Sequence, residues 1–323
     1  HAQERDPAGV LGRMFAALSG ETAAYSVSGN ALMLESPDEE PPTVLGSGEN
    51  GVEQYKHFAF YGKELREMTS RRASSVFANT HAELLNHTIE SSTLAQEQLL
   101  AAEVSEDFPT SQLGRQLEQV AKVIKSRAVV GAERDAFFVQ IGGFDSHGDF
   151  FRTISNKFAE INAAVDSFQR EMKGDGAWDD VLLVQASEFG RTMVSNGRGS
   201  DHGWGGMHWM AGGAVKGKQM LGTYPQSLRP DSSHMLSRGR IVPTSANEAL
   251  WNAVSQWMGV APVSMDHVLP NRQFFSDDPH EPAGPRKLFR RDDVFVARVS
   301  EPAAPPASPL PPAPPAPPRP PPT

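Results

Sequence analysis

The spacing of apolar positions changes along the chain, and each change marks an element. Residues 1–60 hold one short helical run, Val10 to Leu18, among Gly-, Ser- and Pro-rich connectors such as Ser36-Pro37 and Gly46-Ser47-Gly48. That mixture reads as a peripheral, loop-rich segment. From Lys63 to Val104 the chain is rich in Glu, Leu, Ala and Gln, and Leu84, Leu85, Ile89, Leu94, Leu99 and Leu100 recur at helical spacing. Phe108-Pro109-Thr110 interrupts this region. Gln112 to Ser126 then places Leu113, Leu117, Val120, Val123 and Ile124 on one stripe, which predicts an amphipathic helix.

The period next shortens. Ala136 to Ile141 is a β-branched and aromatic run ended by Gly142-Gly143, the pattern of a buried strand opening into a loop. Asp149 to Lys173 returns to helical spacing through Phe150, Ile154, Phe158, Ile161, Val165 and Phe168, and Asp180 to Ala186 is a second strand. Strand, helix and strand in that order predict a right-handed crossover with the two strands parallel in one sheet. Met207 to Val215 and Gln219 to Tyr224 read as short strands. A helix follows from Ser245, the candidate N-cap, with Glu248 three residues on, and closes at Gly259. The expected fold is α/β, a mostly parallel sheet with helices on both faces. Its expected divisions are an irregular helical portion over 1–110, an α/β domain over 111–298 and a tail over 299–323.

Composition alters this picture mainly at the tail. Half of the 26 prolines fall after Glu301. At that density polyproline II makes about 20 residues a semi-rigid rod on the order of 60 Å long. It suits a stalk or a ligand for an aromatic groove, or equally a low-complexity extension. The net charge of −9, without a basic block, argues against a nucleic-acid partner. With no cysteine, disulfides, thiolate zinc sites and cysteine nucleophiles are excluded. The apolar runs are too short for a membrane span.

Candidate chemistry gathers where strands end, because loops and helix N-termini converge beyond the carboxyl edge of a parallel sheet. The first strand leads into Gly142-Gly143-Phe144-Asp145-Ser146-His147, and the second into Ser187-Glu188-Phe189-Gly190-Arg191-Thr192. Ser200 to His208 (SDHGWGGMH) follows closely. Asp145, His147, Glu188, Asp201, His202 and His208 offer oxygen and nitrogen donors suited to zinc, manganese or iron. Each alone has an ordinary reading: an Asx-turn beside a surface histidine, or Glu188 near the positive end of a following helix. Three clusters in one stretch point instead to a metal or anion site. Trp204, Trp209, Trp251 and Trp257 could stack on a ligand, although the last two read as packing residues. His57, His81 and His87 have no partner at ligand spacing, and Asp277-Asp278 and Asp292-Asp293 read as solvated turns.

The same motifs carry a resemblance. GGFDSH, SEFGRT, DHGWGG, GGAVKGKQMLGTYP, GRIVPTSANEALWNAVSQWMGV and LPNRQFF, in this order and spacing, resemble a family of unknown function, domain of unknown function fifteen-oh-one, from Gln112 to Phe275. That family is similar to a branch of the alkaline phosphatase and sulfatase superfamily. The resemblance implies an alkaline phosphatase-like fold holding one or two divalent metal ions, zinc or manganese ahead of others, and acting on phosphate or sulfate monoesters. By position, Asp145, His147 and His202 would share one metal and Glu188 would face a second. Arg191 would pair with an anionic substrate oxygen or with a carboxylate. The family's Gly-Gly-x-Asp-Gly-like loop and Ser-His pair are not found, and GVLGRMF resembles an entry helix from the family's middle. The N-terminal part of the domain is therefore expected to be missing and the nucleophile is unassigned. Export is expected from the resemblance. Two function classes follow: a metal-dependent hydrolase, or a non-catalytic member serving as a surface or interaction module.

Overall fold

The computed structural model describes residues 8–36, 41–45, 58–70, 72–86, 102–127, 131 and 133–297. Expectations placed on Gly46-Ser47-Gly48, His57, His87, Ile89, Leu94, Leu99, Leu100 and the proline-rich tail lie outside them.

Helix α1 (Val10–Ala16) buries Met14 and Phe15. Strand β1 (Thr22–Ser26) follows, and then the two-residue strand β2 (Thr43–Val44). These strands are not peripheral. With β3 (Arg134–Phe138) they form a parallel sheet in the order β2-β1-β3, so β1 lies at its centre. Its Thr-Ala-Ala-Tyr-Ser sequence carries little hydrophobic amplitude, which hid it from a reading by pattern. Small residues suit a strand flanked on both sides, and the Tyr25 ring stacks on Phe137, its register partner, at 5.2 Å.

Helix α2 (Phe58–Thr69) and a helical segment over 76–86, α3, match part of the expected helical region, whereas residues 102–110 are irregular up to Val104 and beyond. Helix α4 (Gln112–Lys125) begins where the Ser111 side chain accepts from Gly114 N at 3.1 Å, and its last turn carries Lys122 and Lys125, which favour the helix C-terminus. The apolar stripe behaves as its spacing dictates. Leu113, Leu117, Val120 and Val123 are buried in one cluster with Tyr25, Val27 and, from helix α5 (Phe150–Gly174), Phe168 and Met172.

The expected crossover is corrected at its second strand. Strand β4 (Leu182–Val184) does not join β3; it pairs antiparallel with β7 (Met210–Gly212). The chain between them folds into a hairpin of β5 (Gly190–Ser195) and β6 (Ser200–Gly203), which returns it alongside β4 over a short loop at small entropic cost. Gly212 permits the approach, since a Cβ there would lie 2.3 Å from Val181 O. Among the described residues the parallel ladders are those of β1, β2 and β3, with one isolated parallel bridge between Ser276 and Lys287, and the other named ladders, including β8 (Met235–Leu236) with β9 (Arg240–Ile241), are antiparallel. The architecture is α/β, helices and strands around a small three-stranded parallel sheet.

No strand forms over Gln219 to Tyr224. Gly222 sits there at φ +79° against Ser245, so the segment turns instead of extending. Helix α6 (Asn247–Met258) starts one residue later than expected. Its N-cap is Ala246, without a side-chain bond, and it ends at Gly259 in the left-handed region. Trp251 is buried on this helix and Trp257 stacks on Phe295 at 5.5 Å, so both are packing residues. Beyond the short helix α7 (Met265–Val268), Asp277 pairs with Arg272. At helix α8 (Arg291–Val294), Asp293 Oδ2 accepts from Arg290 N at 2.8 Å. Those two aspartates are therefore engaged, not merely solvated.

Candidate metal centre

After β3 the chain stays irregular until Ser146 folds it. Ser146 is buried, its N–H donates to Phe144 O at 2.9 Å and its Oγ to Gly148 O at 2.9 Å. The residue between the two donors is thus turned inward, and Asp145 and His147 on either side stand outward, with side chains 57% and 50% exposed. Helix α5 starts directly afterwards from Asp149.

The SEFGRT segment enters a strand, not the helix expected to follow Glu188. Its hairpin is closed by Asn196, whose Oδ1 accepts from Arg198 N and Gly199 N at 3.1 and 2.8 Å, and by Gly197 at φ +99°. Asn-Gly between two short extended runs is a hairpin signal that the sequence reading passed over. The hairpin sets Arg191 directly opposite His202.

Three donors meet as a result. Asp145 Oδ1 lies 2.7 Å from His202 Nε2 and 3.1 Å from His147 Nδ1, and one ligand atom from each residue falls within 4.8 Å of the others. The hydrogen bond from His202 outweighs desolvation and, with the charges of His147, His202 and Arg191, holds the Asp145 carboxyl below its usual range. Arg191 ties the arrangement together. Its guanidinium donates to Asp145 Oδ1 at 3.2 Å, to Phe144 O at 2.7 Å and to Ser200 O at 2.9 Å, bracing the loop after β3 against β6.

The other expected ligands stand apart from this triad. Glu188 is exposed in the loop between β4 and β5. Asp201 accepts from Asn196 Nδ2 at 3.1 Å and pairs with Arg238; these contacts, Asn196 first, hold its carboxyl below the usual range. His208 Nδ1 lies 3.1 Å from Gln185 O, beside the β4–β7 ladder. Of the nearby hydroxyls, Ser187 donates to Phe189 O at 2.9 Å, while buried Thr192 donates to Val194 O at 3.0 Å and accepts from Asp201 N at 3.1 Å.

The three side chains could together hold a metal ion. One carboxylate and two imidazoles are borderline to hard donors, and three protein ligands leave an open coordination position. Bonds of ~2.0–2.2 Å hold tetrahedral donors roughly 3.3 Å apart, so the present contacts need to open by only about half an ångström. All three side chains are exposed enough to do so. Sequence reasoning missed Phe189, whose ring lies 4.2 Å from the His202 imidazole at an interplanar angle of 2°. Its position two residues before Arg191 on an extended run was the available signal.

The fold and this donor set describe an α/β protein with a surface cluster suited to a metal ion. The family model described as a protein of unknown function (DUF1501) matches residues 30–233, more than half of the chain, and the chain belongs to that family. The matched stretch includes Asp145, His147, Glu188, Arg191 and His202, starts well before Gln112 and ends before the motifs around Asn247 and Asn271. Neither a curated protein nor a solved structure matches the chain.

Proposed function

We propose that the protein is a metal-dependent hydrolase of the alkaline phosphatase and sulfatase type, acting on phosphate or sulfate monoesters. The observation that carries this reading is the meeting of Asp145, His147 and His202, brought from two separate segments to one exposed edge. These residues would hold a zinc or manganese ion, which when bound supplies a Lewis acid for a phosphoryl or sulfuryl oxygen. Asp145 and the two imidazoles would fix its place. Arg191 would contribute positive charge beside the anionic ester, while its two terminal nitrogens stay bonded to Ser200 O, Phe144 O and Asp145 in bracing the loop. Glu188 is the candidate for a second ion, reached by movement of its exposed loop.

One observation favours the non-catalytic alternative. Ser187 and Thr192 both donate to backbone carbonyls, so neither hydroxyl stands ready as a nucleophile. The test is hydrolysis of aryl phosphate and aryl sulfate esters with zinc or manganese, comparing the wild type with Asp145→Asn. Metal-dependent turnover lost in the variant supports the hydrolase. Zinc binding without turnover of either ester supports the non-catalytic member.

A further inference from the structure

We infer that Phe189 is a positioning residue for His202: its ring face fixes the imidazole plane so that Nε2 stays aimed at the point shared with Asp145 and His147. The inference rests on the metal-centre reading above for its consequence, but on separate geometry for its cause. A histidine ligand is ordinarily oriented by a hydrogen bond to its second ring nitrogen. Here Nε2 faces Asp145, and among the described residues Nδ1 of His202 has no hydrogen-bond partner. The side chain is 51% exposed, so packing on all sides does not restrain it either. The His147 ring lies 5.5 Å away but tilted by 40°, whereas the Phe189 ring is 4.2 Å away and parallel within 2°.

That ring rests on a fixed base. The Arg191 guanidinium lies 5.4 Å from its centroid, and the same guanidinium is pinned to Phe144 O, Asp145 and Ser200 O. Phe189, Arg191 and His202 are further constrained because Arg191 and His202 are opposed in the hairpin register. The stack thus replaces the missing hydrogen bond: it leaves the imidazole free to slide slightly but not to tilt. A filler role would need only volume, which an aliphatic side chain also provides; an orienting role needs a flat face.

The experiment compares the full chain with Phe189→Leu and Phe189→Tyr by zinc titration calorimetry and by proton NMR of the metal-free His202 ring, with circular dichroism as the folding control. A ring stacked on Phe189 carries an upfield ring-current displacement. The expected result is that Phe189→Leu abolishes the displacement and weakens zinc binding about tenfold or more, and that Phe189→Tyr keeps both near wild type. Unchanged zinc affinity and unchanged His202 resonances in Phe189→Leu overturn the inference. So does a Phe189→Tyr protein that is folded yet as impaired as Phe189→Leu. If the wild type binds no zinc, the metal reading fails, and the orienting role then stands if nuclear Overhauser contacts from the His202 ring to Asp145 and His147 are kept in Phe189→Tyr and lost in Phe189→Leu, and falls if Phe189→Leu keeps them.

Discussion

His202 reaches Asp145 across 57 residues of chain, its Nε2 lying 2.7 Å from the carboxylate Oδ1. A zinc or manganese ion would replace this bond with two coordinate bonds and relieve the crowding of Asp145, His147 and His202. Ligand binding to the folded state alone raises its stability, by ~2.7 kcal/mol at a hundredfold excess over Kd. Added zinc should therefore raise the melting temperature of the wild type and a chelator should reverse the rise. The double variant Asp145→Ala with His202→Ala should show neither effect. Identical melting curves for the wild type in zinc and in chelator would remove the metal centre.

Gly190 opens the strand that carries Arg191, and a Cβ on it would lie 2.1 Å from Gly205 O. That neighbour is backbone and cannot swing aside, so the hairpin must shift. Gly190→Ala should cost about 2 kcal/mol in denaturant unfolding. Because Arg191 and His202 move with the hairpin, zinc-dependent stabilisation should fall as well. Gly217 has open space around the same position, and Gly217→Ala should stay within about 0.5 kcal/mol of wild type. Equal effects at the two glycines would refute the close-approach argument.

Glu171 is 3% exposed yet charged. Burial alone would raise its pKa, but the bond from Lys125 at 2.6 Å and two backbone N–H donors, Glu106 and Ser105 at 2.8 Å each, hold it below the usual range. The carboxylate therefore fastens α5 to α4 and to the irregular segment before it. Glu171→Ala leaves Lys125 and both N–H groups without their acceptor and should cost about 3 kcal/mol. Loss of less than about 0.5 kcal/mol, the range of an ordinary surface substitution, would show that the network is not holding these elements.

Period-based reasoning worked where one face of an element is strongly apolar. Leu113, Leu117, Val120 and Val123 identify α4, and Phe168 and Met172 lie on the buried side of α5. It failed at β1, where Ala23, Ala24 and Ser26 give almost no amplitude although the strand occupies the sheet centre. It also misjudged pairing. The sequence around Leu182 is a good strand wherever it lies, and its partner was decided by Gly212 and by the return of the hairpin, both non-local facts. Asp145, His147 and His202 were readable as donors because few other roles combine those residue types with flanking glycines. Whether Glu188 would join them depended on the path after β4, which local pattern does not specify.

Asp135 provides the last prediction, on pH. It lies on β3 with Oδ1 buried and without a hydrogen-bond partner among the described residues, and burial raises its pKa from 3.8 to about 6. The sign follows from proton uptake. Between those values the folded protein holds a proton that the unfolded chain has released, so stability is fully present below about pH 4 and is lost as pH rises toward 6. Each pH unit separating the folded and unfolded pKa is worth about 1.4 kcal/mol, which makes the loss on the order of 2–3 kcal/mol. Its charge above that range also adds to the elevation of the Tyr25 pKa, which burial foremost pushes to about 12. Asp135→Asn keeps the shape without the ionisation. Denaturant unfolding should find the variant close to wild type near pH 4 and progressively more stable than it up to about pH 7. A constant difference between the two proteins across that interval would mean that Asp135 ionises as freely in the folded state as in the unfolded one, and that its buried oxygen has a partner after all.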